Sequence, residues 1–191
     1  MPRDAPSPEP TRRDFVLVGA AAFAGMGGLL ALWPLVSSMN PTADTQALPT
    51  LDVDLQQIAP GQSITVAWQG RPIVVRHRTA AEIAAARAIV AGDLRDPLAR
   101  NDALPPQSLA RDENRTVEGH PEWLLVVGIC THDGCVLAAA PRVTLEPGEG
   151  FACLCCNTRF DVSGRVRSGP ARANLGVPRY EFLSPTRIRL H

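Results

Sequence analysis

The residues of this chain best equipped for chemistry are its cysteines, all five of which fall between Cys130 and Cys156. They form two short boxes, Cys130-Thr131-His132-Asp133-Gly134-Cys135 and Cys153-Leu154-Cys155-Cys156-Asn157-Thr158. Crowding of this kind marks a metal site, a disulfide, or both. Cys130 and His132, two positions apart, can reach one metal centre from a tight loop, and Gly134 lets that turn continue with φ above zero. Cys153, with either Cys155 or Cys156, can supply the remaining ligands from a second loop. Cys135 and one partner are then left for a disulfide, a bond that persists outside the cytoplasm. Three ligands and one disulfide use all five thiols. His77 and His120 lie outside the boxes and read as ordinary surface or strand residues.

Loops that carry ligands need a frame. At 191 residues the chain has room for one ordinary domain plus a tail or anchor. Gly and Pro are abundant and aromatics are scarce, which suits a loop-rich β domain. The run Trp123-Leu124-Leu125-Val126-Val127-Gly128-Ile129 reads as a buried strand that delivers Cys130 to its end. Further strands are expected at 51–55, 63–68, 72–77 and 187–190. Thr79-Ala80-Ala81-Glu82 is a capping box that opens an Ala-rich helix to about Ala91, with Gly92 as its stop. Residues 93–121, polar and punctuated by proline, read as a long surface excursion. Trp68 and Trp123 are expected in the core.

The N-terminus bears on compartment. Residues 15–36, FVLVGAAAFAGMGGLLALWPLV, carry no charge and are long enough to span a hydrocarbon core of about 30 Å as a helix. Thr11-Arg12-Arg13-Asp14-Phe15 just before them reads as a twin-arginine export signal. The arginines hold residues 1–14 in the cytoplasm and place everything after the span outside. A cleaved signal peptide is the alternative, but Ser37-Ser38-Met39-Asn40-Pro41 is a poor cleavage site. Residues 37–49 lack hydrophobic periodicity and read as a hinge to a periplasmic head at 50–191. The net charge is zero, so nothing argues for a nucleic-acid partner.

The two boxes resemble those of Rieske 2Fe-2S proteins, C-T-H-L-G-C followed by C-P-C-H-G-S. The similarity extends to Thr11-Arg12-Arg13-Asp14-Phe15, Trp33-Pro34-Leu35, Met39-Asn40-Pro41-Thr42-Ala43-Asp44, Glu122-Trp123-Leu124 and Ser168-Gly169-Pro170-Ala171. Over nearly the whole chain it is similar to the Rieske subunits of bacterial cytochrome bc complexes, the ubiquinol-cytochrome c reductases. The resemblance implies a mainly β fold: a transmembrane helix plus a small antiparallel head with one helix inserted, its cluster-binding part at about 123–172. It implies that Cys130 and Cys153 are thiolate ligands, that His132 is the first histidine ligand, and that Cys135 and Cys155 are joined. The second histidine position holds Cys156, so the implied 2Fe-2S ligand set is Cys130, His132, Cys153 and Cys156. Exchange of roles between Cys155 and Cys156 is the alternative. Ubiquinol, cytochrome b and a c-type cytochrome are the implied partners, within a dimeric complex in the bacterial inner membrane, with His132 as the catalytic residue. Zinc on three cysteines and one histidine, or a structural subunit without a metal, are the competing readings.

The departures from the pattern cluster around the site: Asp133 replaces a leucine, Leu154 a proline, Thr158 a serine and Phe160 a tyrosine. Thr158 can keep a hydroxyl near the thiolates; Phe160 cannot. Asp133 is expected to stay hydrated on an otherwise apolar tip. A thiolate in place of imidazole adds negative charge and is expected to lower the reduction potential.

Overall fold

The computed structural model describes residues 11–38, 50–138 and 148–191. Most of the hinge expected at 37–49, and most of the segment expected at 1–14, lie outside the described residues. The chain divides into two units, Met1–Gln46 and Ala47–His191.

In the first unit, helix α1 spans Arg12–Ser37. Thr11 caps it: its hydroxyl accepts from the Asp14 N–H, and the Asp14 carboxylate takes the Thr11 N–H in return. At 26 residues α1 is about 39 Å long. Phe15, Phe23, Leu29 and Trp33 are all exposed along it, so the helix is apolar around its whole circumference. It is long and apolar enough to cross a membrane.

Among the described residues, the second unit holds nine short strands in three antiparallel sheets of three, as the mainly β expectation required. One sheet orders β1 (Leu51–Asp54), β9 (Arg187–Leu190) and β8 (Tyr180–Ser184). Another orders β2 (Ser63–Trp68), β3 (Arg71–His77) and β4 (Trp123–Val127). The last orders β5 (Glu149–Ala152), β6 (Arg159–Asp161) and β7 (Val166–Ser168). One core joins them through Ile73, Val75, Leu124, Leu125, Phe151, Phe160, Leu175, Ile188 and Leu190, all fully buried. Four consecutive residues of β4, Trp123 to Val126, are buried, which is why that strand reads as an unbroken apolar run. Trp123 lies in the core with His77 stacked on its ring at 4.1 Å, whereas Trp68 is only half-buried.

One expectation needs correction and another needs refining. Helix α2 has the expected capping box at Thr79 and Glu82 but spans only Ala80–Arg87, stopping short of Ala91. The Arg165 guanidinium takes the Ala86 carbonyl that a further turn would use, and Val90 is already extended. Residues 93–121 do run along the surface, but they are anchored in it rather than free. Leu94, Asp96, Ala99, Ala110, Asp112 and Arg115 are buried. Their polar groups are tied to distant segments: Arg78 Nη1 donates to Asp112 (2.6 Å), and Arg115 Nε donates to the Ser163 carbonyl (2.8 Å). Polar composition was a poor guide because each buried charge has a partner.

Candidate metal centre

Both boxes are turns held by their own backbone. In the first, the Cys130 N–H donates to the Cys135 carbonyl (2.8 Å) and the Gly134 N–H to the Cys130 carbonyl (3.1 Å). Gly134 sits at φ 75°, the left-handed conformation expected of it. A bridge between Ile129 and Val136 closes the loop just beyond the end of β4. The second box is the connection between β5 and β6, closed by the Cys153 N–H on the Thr158 carbonyl (2.8 Å), with Asn157 at φ 55°. Asparagine tolerates that conformation better than most residues. A disulfide joins Cys135 to Cys155 with Cα atoms 6.5 Å apart, so it staples the two loops side by side. This is the pairing that the resemblance implied.

A third segment covers the site. Gly169 lies at φ 89°, and a Cβ on it would meet Thr158 Cα at 2.5 Å, so only glycine lets the backbone approach so closely. The Ala171 N–H donates to Thr158 Oγ1 (3.3 Å), and Thr131 Oγ1 donates to the Ala173 carbonyl (2.6 Å). Behind it, Asp96 accepts from the Asn174 N–H (2.8 Å), while the Asn174 side chain donates to the Asp96 and Leu98 carbonyls, each at 2.9 Å. The cover is therefore fastened at both ends.

Under it lie three free thiols. Cys130 and Cys153 are buried and Cys156 is half-buried. Cys130 Sγ and Cys156 Sγ are 3.6 Å apart. Burial pushes the Cys130 thiol up, to about 12, against opposing N–H groups of His132 and Asp133. Burial likewise raises Cys153, opposed by the N–H groups of Cys156 and Cys155. Cys156 goes the other way: partial burial works upward, but the Thr158 hydroxyl, 3.0 Å from its sulfur, and the Thr158 N–H hold it below the ordinary thiol value. A positive centre placed among these sulfurs reverses the burial penalty, because a bound metal stabilises the thiolate outright.

The remaining candidates separate. His132 is exposed on the first loop and lies outside the tight donor group that the structure forms. That group is Cys130, Cys153, Cys156 and, unexpectedly, Asp133, with all four donor atoms within 4.8 Å of one another. Asp133 is exposed, as its hydrated reading required, yet its carboxylate oxygens stand 3.4 and 3.5 Å from Cys153 Sγ. Its Oδ1 also accepts the Cys135 N–H (3.1 Å), which together with the thiols holds the carboxyl below its usual range. The signal for this was present in Asp133-Gly134-Cys135, since an aspartate often bonds the backbone N–H two residues on. Thr158 keeps a hydroxyl on the site; Phe160 is wholly buried and offers none.

The chemistry of the donors fits an iron–sulfur cluster. Three thiols converge, backbone N–H groups are directed at all three sulfurs, and an imidazole stands on the loop of Cys130. Together the fold, the stapled loops and this donor set define a Rieske-type iron–sulfur domain. Residues 103–181 match the family model described as the Rieske [2Fe-2S] domain, and residues 2–42 match that of the ubiquinol-cytochrome c reductase Fe-S subunit TAT signal. The chain is 47% identical over 182 residues to the ubiquinol-cytochrome c reductase iron-sulfur subunit of Bradyrhizobium diazoefficiens, covering 95% of this chain and 94% of that protein. It is 44% identical over 187 residues to the Rickettsia prowazekii subunit (98% and 97% covered), and 41% identical over 180 residues to that of Cereibacter sphaeroides (94% and 95%). The chain belongs to the family of ubiquinol-cytochrome c reductase iron-sulfur subunits.

Proposed function

We propose that this chain is the electron-carrying subunit of a ubiquinol-cytochrome c reductase, anchored in the bacterial inner membrane by α1 with its head in the periplasm. The observation that carries this reading is the pair of loops bearing Cys130, His132, Cys153 and Cys156, stapled by the Cys135–Cys155 disulfide, in a chain related along nearly its whole length to such subunits. The proposed ligands are Cys130 and Cys153 with His132 and Cys156. A bound 2Fe-2S cluster supplies one-electron carriage between ubiquinol and a c-type haem. The chain's own residues do the rest. The disulfide and the cover hold the two loops together and exclude water from Cys130 and Cys153. His132, exposed at the tip, is the group open to a quinol hydroxyl and able to exchange a proton at its ring nitrogen. Residues 37–49 serve as the hinge between cytochrome b and the c-type cytochrome in a dimeric complex.

A third thiolate places more negative charge on the centre than two histidines would. Its potential is therefore expected at or below the low end of the Rieske range, which runs from about −150 to +300 mV. The test is iron and acid-labile sulfide analysis of the detergent-extracted chain, with EPR after dithionite reduction and a redox titration. Two irons and two sulfides per chain, with an EPR signal of low average g, are expected. Protein prepared without oxygen that contains neither iron nor sulfide would end the electron-transfer reading.

A further inference from the structure

The spacing of the donors carries information beyond their identity. Bonds of about 2.3 Å to sulfur and 2.1 Å to oxygen give a tetrahedral centre S–S edges of about 3.8 Å and S–O edges of about 3.6 Å. Cys130 Sγ and Cys156 Sγ are 3.6 Å apart, and Asp133 Oδ1 and Oδ2 are 3.4 and 3.5 Å from Cys153 Sγ. Donors on opposite irons of a two-iron cluster must lie farther apart than this, because the iron–iron vector separates them. Cys130 and Cys156, the pair that would serve opposite irons, instead stand one tetrahedral edge apart. The carboxylate completes the set: Cys130, Cys153, Cys156 and Asp133 all lie within 4.8 Å of one another, and His132 is not among them. Cys153 and Asp133 also lie within 4.8 Å of the sulfurs of Cys135 and Cys155, but those are spent in the disulfide.

The geometry points to a second mode of metal binding: without a cluster, Cys130, Cys153, Cys156 and Asp133 hold one tetrahedral divalent cation of the zinc class, through three sulfurs and one carboxylate oxygen. The proposal uses the same thiols as the electron-transfer reading but does not depend on it. It gives Asp133 a role that a leucine at the same position could not have. It also separates the two neighbours in the first box, with His132 belonging to the two-iron centre and Asp133 to the single ion. Three thiolates and one carboxylate around a divalent cation leave a net charge of −2, so a soft, thiophilic ion is favoured over magnesium or calcium.

The test uses the full chain in detergent, stripped of metal under anaerobic conditions with its disulfide intact, and cobalt(II) as the probe. One cobalt per chain is expected, with thiolate charge-transfer bands, tetrahedral d–d bands and displacement by zinc. Asp133→Asn, which keeps the side chain's shape, should weaken cobalt binding by more than about 10-fold, the lower bound for losing even a hydrogen-bond partner of a ligand. His132→Ala should leave the affinity and the d–d bands unchanged. Octahedral cobalt, no stoichiometric binding, or a loss in His132→Ala with none in Asp133→Asn would overturn the assignment. Iron and sulfide in the chain as isolated are measured separately, so failure of this proposal and failure of the electron-transfer reading are told apart.

Discussion

Arg115 tests whether the head is held by buried guanidinium groups. It is fully buried, and its guanidinium donates to four backbone carbonyls: Ser163 (Nε, 2.8 Å), Leu175 (Nη1, 2.9 Å), Gly164 (Nη2, 3.3 Å) and Ala99. Arg115→Met keeps most of the side-chain volume and removes every donor. Hydrogen bonds to charged groups contribute about 1.5–3 kcal/mol each, a gross loss of about 6–12 kcal/mol for four. Against this, the charge no longer has to be buried. That cost is visible in the guanidinium itself, which burial pulls down to about 10, a shift equivalent to roughly 3 kcal/mol. Water reaching some of the freed carbonyls reduces the loss further, leaving a net destabilisation of about 3–5 kcal/mol, typical of breaking a buried charged contact. For a domain of this size that lowers the melting temperature by roughly 10 °C or more. Arg115→Lys should recover little, because an ammonium lacks the planar fork that reaches several segments at once. Near-UV circular dichroism of the full chain in detergent, followed through urea and thermal unfolding, measures both variants. An Arg115→Met chain within about 1 kcal/mol of the parent would refute the reasoning.

Three further outcomes are expected. Thr158→Val removes the hydroxyl 3.0 Å from Cys156 Sγ, so the Cys156 thiol should rise, and alkylation of the metal-free chain by iodoacetamide should need higher pH; an unshifted pH–rate profile counts against the contact. Gly169→Ala forces a Cβ against the Thr158 backbone at a positive φ, and should cost about 2–4 kcal/mol in urea unfolding while exposing Cys130 to thiol reagents. Asp96 carries a pH signature: burial pushes its carboxyl up, but the Arg100 pair and the N–H groups of Asn174 and Leu98 outweigh burial and hold it below its ordinary value. Its stabilising contribution is therefore complete above the unfolded value near pH 4 and is lost as pH falls through the lower folded value. Asp96→Asn should lower stability at pH 7 and converge on the parent in acid; parallel stability curves would contradict this.

What the sequence disclosed and what it hid follow one physical line. Strands β2, β3, β4 and β9 were legible because alternation or an unbroken apolar run is a local signal, and α2 announced its start through Thr79 and Glu82. Its end was not legible, since the residue that stops it, Arg165, lies far along the chain in the turn between β6 and β7. The burial of Asp96, Asp112 and Arg115 was hidden for the same reason: polar residues read as surface until their distant partners are in place. At the site, types and spacing gave a metal centre, but the sharing of five cysteines between ligands and disulfide needed the family resemblance. The approach of Asp133 to Cys153 depends on how two loops dock, which no spacing within either loop encodes.

The buried arginines also bear on how this chain can change over generations. Arg115 and Arg165 fasten distant segments by their carbonyl oxygens, at Ala86, Ala99, Ala110, Ser163, Gly164 and Leu175. The tip, by contrast, depends on side chains, so a replacement there alters chemistry without loosening the scaffold. Such a separation lets donors at the tip be exchanged, one residue at a time, on a head that continues to fold.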